Sequence, residues 1–150
     1  MMSNKTFTRI GAALLAVLVP AWSSCGSGHP RTVPVGGRIT FLGGDWPAPG
    51  LIYFTVVEPA EGFPRHPGIA EFDRSGRFAA RTWDPGDGLL PGKYKVHIEC
   101  WQTPPQMEGP PPVSHVPEKY QSGHTSDLVL DVQPDSRGED VLWDISPADP

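Results

Sequence analysis

Lys93-Tyr94-Lys95-Val96-His97-Ile98-Glu99-Cys100-Trp101 alternates without interruption: Tyr94, Val96, Ile98 and Cys100 fall on one side of an extended chain, Lys95, His97 and Glu99 on the other. Successive side chains of a strand point to opposite faces, so this period of two describes a strand with one face on a core and one in water. Cys100, in phase with the apolar set, reads as a small buried hydrophobe. Trp101 is in phase with the polar set and reads as exposed. Pro91-Gly92 turns the chain just before this run.

The same pattern recurs on both sides. Residues 35–42 read as a first strand with Ile39 and Phe41 on one face, and Gly43-Gly44-Asp45-Trp46-Pro47-Ala48-Pro49-Gly50 as the turn after it. The β-branched and aromatic run 51–57 reads as a central strand covered on both faces. Residues 69–72 and 77–83 flank the tight turn Asp73-Arg74-Ser75-Gly76. Further on, Leu128, Leu130 and Val132 alternate with Asp127, Val129 and Asp131, and Val141, Trp143 and Ile145 with Asp140, Leu142 and Asp144. No run after residue 24 repeats every 3.6 residues. Although 17 glycines and 19 prolines invite a reading of disorder, they sit between the alternating runs, as turns do. Seven short strands with turns about every ten residues predict an all-β, immunoglobulin-like two-sheet sandwich over 35–146. Residues 102–124 form a long connection with six prolines between Pro104 and Pro117, stiff, extended and long enough to carry function.

The N-terminus reads as an address. Lys5 and Arg9 precede the uncharged apolar run 10–19, short of the roughly 20 residues that span a bilayer. Pro20 ends that run, and Ala21-Trp22-Ser23-Ser24 leads to Cys25-Gly26-Ser27-Gly28. The arrangement resembles a bacterial lipobox, with residues 1–24 as signal peptide, Cys25 as the lipidated residue and 25–34 as a tether; Trp22 stands where that pattern prefers Leu. A secretory cut after Ser23 and an uncleaved anchor are the alternatives left open. All three place the working chain outside the cytoplasm. Loss of Lys5 and Arg9 makes a chain of formal charge −5 two units more negative. No basic patch is available for a phosphate backbone, so nucleic acid is not an expected partner, and membrane attachment falls to acyl chains on Cys25. With Cys25 acylated, Cys100 is the remaining cysteine and no disulfide framework supports the domain; without acylation a Cys25–Cys100 bridge becomes available.

Asp73-x-x-Gly76-x-Phe78, then Asp87-Gly88 and Pro91-Gly92-Lys93-Tyr94-Lys95-Val96, resembles the core of the carboxypeptidase regulatory-like, transthyretin-like domains of small bacterial envelope lipoproteins. Val116-Pro117-Glu118-Lys119-Tyr120 and Thr125-Ser126-Asp127-Leu128 extend the likeness almost to the end of the chain. The resemblance implies a transthyretin-like β-sandwich that carries, binds or assembles, with no catalysis of its own, held in the cell envelope. The absence of Asp after Cys25 fits outer-membrane sorting.

Chemistry is sparse. Gly-x-Ser-x-Gly, His-Glu-x-x-His, a phosphate-binding glycine loop and paired-cysteine metal spacing are all missing. His97 and Glu99 share a strand face and would hold a metal only with help from His115 or His124; they read as solvated polar residues, and no cofactor is expected. Asp73, Asp84 and Asp87 read as turn residues rather than calcium ligands. Trp46, Trp83, Trp101 and Trp143 offer a sugar-stacking strip, although Trp143 is in phase with core residues. The expected contact surface is Trp101 with His115 and Tyr120 beside the proline-rich loop. Its partner would be an envelope protein or glycan; the alternative is a secreted domain that binds a small ligand or carbohydrate with Trp101 and the 102–124 loop.

Metabolic labelling with an alkyne fatty acid checks the address. The natural chain is expected to take up label and Cys25→Ala to lose it; equal labelling of both would place the lipid elsewhere.

Overall fold

The computed structural model describes residues 28–147. Cys25, the signal peptide and the first residues of the tether lie outside the described residues. The chain is all-β. Seven strands, β1 (Val35–Phe41), β2 (Gly50–Pro59), β3 (Gly68–Phe72), β4 (Arg77–Arg81), β5 (Gly92–Glu99), β8 (Val129–Val132) and β9 (Glu139–Ile145), form one sheet in the order β8-β5-β2-β3-β4-β1-β9. A small hairpin, β6 (Trp101–Thr103) with β7 (Val113–Ser114), and a 3-10 turn at Glu118–Tyr120 interrupt the long connection. All pairings in the sheet are antiparallel except β1 with β9, which run parallel from Val35↔Glu139 to Phe41↔Ile145.

All seven expected strands are present. Their hydrogen bonds draw one continuous mixed sheet, nearly closed into a barrel, rather than two facing sheets, because β3 pairs with β2 on one side and β4 on the other. The run 93–101 divides at Cys100: β5 ends at Glu99, and Trp101 opens the separate hairpin. The tether is shorter than expected. Val33 is buried, and its amide and carbonyl exchange hydrogen bonds with Leu89 at 2.8 and 2.9 Å.

Alternation decides what the sheet encloses. Ile52, Phe54 and Val56 of β2 face Ile98, Val96 and Tyr94 of β5 in register, and all six are buried. Phe54 packs edge-on against Tyr94 and tilted against Phe78, each at 6.4 Å between ring centres. The Tyr94 hydroxyl donates to the Leu90 carbonyl at 2.7 Å, so its polar end is satisfied inside the core, and burial pushes its pKa up to about 12. One expectation fails here: β2 is covered on one face only. Tyr53 is half-buried and Thr55 and Val57 are exposed, because the continuous apolar look of the run came from β-branched and aromatic residues that strands favour on either face.

The turns are built as their residues dictate. Asp73 Oδ1 accepts the Ser75 hydroxyl at 2.6 Å and the Arg77 amide at 3.1 Å, and Asp87 accepts the amides of Thr82, Trp83 and Asp84. Both carboxylates thus serve turns. Gly76 has φ +78° and lies so close to the Ile39 carbonyl that a side chain has no room. Gly43 has a similar φ of +73° with open space around it.

Gly76→Ala therefore meets both an unfavourable φ and a backbone clash, and is expected to cost roughly 2–4 kcal/mol, against about 1 kcal/mol for Gly43→Ala. Denaturant midpoints of the two variants check this; equal losses would show that the approach to Ile39 carries no weight.

Candidate functional site

The outer face of β2 and β5 carries the densest chemistry among the described residues. Tyr53 and His97 are cross-strand partners with rings stacked at 4.7 Å and 8°. The Tyr53 hydroxyl donates to Glu99 Oε2 at 3.2 Å, and Trp101 Nε1 donates to the same oxygen at 3.4 Å. Burial, and then the Glu99 carboxylate, raises the Tyr53 pKa. A row of aromatic and polar groups thus runs along the sheet with Glu99 already committed.

A roof lies over part of this face. After the hairpin the chain plugs Val116 and Tyr120 into the core and returns through residues 121–126 above β5. The return is tied at both ends. Gln121 Nε2 donates to the Val116 carbonyl at 2.6 Å and Thr125 Oγ1 to the Lys119 carbonyl at 2.8 Å. Lys95 Nζ reaches up to the Ser126 carbonyl at 2.9 Å, and Lys119 Nζ pairs with Asp127 at 2.6 Å. Between floor and roof lies a cleft of about 520 Å³, floored by Thr55, Val57, Lys95 and His97 and walled by the backbone and side chains of 121–124. That volume is within the roughly 300–1,000 Å³ of small-molecule sites.

His97 has an unusual position. Its Nδ1 is buried without a hydrogen-bond partner, the one such side-chain nitrogen or oxygen among the described residues. Burial lowers its pKa below the ordinary 6.5, outweighing the pull of Glu99 in the other direction, so the ring is neutral at pH 7. Ser122 Oγ accepts the backbone amide of His124 at 3.2 Å.

The residues expected to form a contact surface divide. Trp101 and His115 are half-buried at the hairpin, where the His115 amide donates to the Cys100 carbonyl at 2.8 Å. Tyr120 is not on that surface. It is 8 % exposed and packed in the core, because the 3-10 turn directs its ring inward while Lys119 covers it, Nζ 5.2 Å from the ring centre. The tryptophans make no strip. Trp46 is buried with Nε1 on the Ile39 carbonyl, Trp143 packs against the core, and Trp83 stacks on His29. Of the connection 102–124, the stretch 104–112 is exposed and takes no part in the cleft, whereas 121–124 lines it. His97 and His124 meet at the cleft, His115 does not join them, and no group of three or more His, Cys, Asp or Glu among the described residues is placed to hold a metal. Cys100 is 1 % exposed, with Sγ donating to the Ala48 carbonyl at 3.3 Å, and burial raises its pKa. Among the described residues no helix is long and apolar enough to cross a membrane.

Sequence reasoning missed Tyr53, Thr55 and Val57. The signal was present: cross-strand pairing puts their face opposite Lys95, His97 and Glu99, which were read as solvent-facing. Comparison with protein-family models, curated proteins and solved structures finds no match.

Because the pKa of His97 is lower in the folded than in the unfolded chain, its contribution to stability is fully present above the unfolded value near 6.5 and is lost as pH falls through the lower folded value. His97→Gln is expected to flatten stability against pH in that acid window, measured by denaturation at pH 4.5 to 7.5. An unchanged slope would show that His97 is not the group involved.

Proposed function

We propose that this chain is a non-enzymatic binding module of the bacterial cell envelope, an outer-membrane lipoprotein carried outside the cytoplasm on acyl chains at Cys25. The likeness of its turns and β5 to carboxypeptidase regulatory-like, transthyretin-like domains supports an immunoglobulin-like sandwich as the finer description of the bent sheet. The observation that carries the functional reading is the roofed cleft on β2 and β5. Concave, part apolar, with a few convergent polar groups, it has the makings of a small-ligand site. Its Ser122 hydroxyl and Lys95 ammonium engage backbone groups of the roof, which favours binding over turnover. The cleft favours a small ligand or a short glycan over a flat protein partner, and the site is the same whether the chain is anchored or freely secreted. Trp101 and His115 flank it through Glu99 and the hairpin, rather than forming it.

A thermal-shift screen of envelope glycans and small metabolites tests this. A ligand at a hundredfold excess over its Kd stabilises the folded state by about 2.7 kcal/mol, enough to raise Tm by several degrees. Thr55→Trp, on the exposed cleft floor, is expected to keep the native Tm and lose the ligand-induced rise. A rise preserved in Thr55→Trp would move the site elsewhere.

A further inference from the structure

We infer that Gly123, His97 and Lys95 form an acid-binding corner of the cleft that takes the carboxylate of a small organic acid, an inference that rests on the cleft being a ligand site. Three observations converge on it.

The first is the unpartnered Nδ1 of His97. Buried polar atoms are nearly always hydrogen-bonded, so an isolated exception beside a cleft points to a partner from outside the chain. The ring is neutral, and with the proton on Nδ1 it donates one hydrogen bond to an oxygen.

The second is Gly123. Its φ is not in the left-handed region, and a Cβ built there would lie 3.8 Å from His97 Nδ1 and 3.8 Å from Lys95 Cβ, ordinary contact distances. Neither backbone conformation nor crowding requires glycine here. Its missing side chain leaves space directly against His97 and the Lys95 stem.

The third is charge. Of the side chains lining the cleft Lys95 brings an ammonium and none is acidic, on a chain of formal charge −5. The ammonium spends one donor on the Ser126 carbonyl and has two left. Glu99, the nearest acid along β5, is engaged by Tyr53 and Trp101. A carboxylate seated here takes the charge of Lys95 on one oxygen; reaching the buried Nδ1–H of His97 with the other requires the 121–124 return to yield at Gly123, while Val57, 52 % exposed, offers an apolar floor to the rest of the molecule.

Calorimetry on the mature chain tests this with two carboxylates and their uncharged counterparts: phenylacetate against phenylacetamide, and glucuronate against glucose. The expected result is saturable binding of at least one carboxylate, at least tenfold tighter than its counterpart. Gly123→Ala should weaken it tenfold or more with Tm unchanged, and Lys95→Gln should erase the preference for charge. Binding of an uncharged probe that Gly123→Ala abolishes, without preference for its acid, would overturn the acid corner and leave the cleft standing. Carboxylate binding indifferent to Gly123→Ala, or no binding of either carboxylate, would overturn the inference as well.

Discussion

The pairing of β2 with β5 is the constraint on which the rest depends. Ile52, Phe54 and Val56 set against Ile98, Val96 and Tyr94 give the sheet its driest contact, and Phe54 carries that contact across to Phe78 on β4. Every other strand turns its apolar side toward this centre, so the sheet must bend until it nearly closes. Burial of large apolar side chains contributes about 1.5–3 kcal/mol each, far more than the surface ion pairs such as Lys93 with Glu58, which are worth about 0–1 kcal/mol. With no disulfide among the described residues, the packed interior holds the domain.

An interior fed from one face leaves the other face free, and this is where binding chemistry accumulates. The roof over it is not a separate addition. Val116 and Tyr120 are core residues that anchor the returning chain, and Lys95 ties the return to β5 from below. The same strand therefore fixes the core with its even-numbered residues and the cleft with its odd-numbered ones. A second hollow, on the outer face of β1, β4 and β9 beside the 76 % exposed Leu142, lacks this character. Its Arg38 is already held by the Ser75 carbonyl at 2.7 Å and Asp45 at 3.0 Å, and its remaining charged groups, Arg77 and Asp140, are of opposite sign.

Much of the fold was legible because local chemistry and global packing agree. The alternation of β5, the Asp73 turn and the Tyr94 hydroxyl all behave as their residue types demand. The continuity of the sheet was not legible, since which strands pair is decided by long-range contacts that periodicity does not encode. Tyr120 misled because an aromatic in a proline-rich connection looks like a surface feature, whereas the 3-10 turn that buries it depends on its surroundings. Trp101 and His97, read as solvent-exposed, are both half-buried on the outward side, and the cleft stayed hidden. It needs the return of 121–126 over β5, and a sequence does not show which strand a loop will cover.

Amide NMR of the mature chain during titration with phenylacetate tests the assignment of function to this face most directly. Shifts concentrated at Thr55, His97 and Gly123, saturating together, are the expected result. Shifts concentrated instead around Arg38 and Leu142, with the cleft silent, would contradict it.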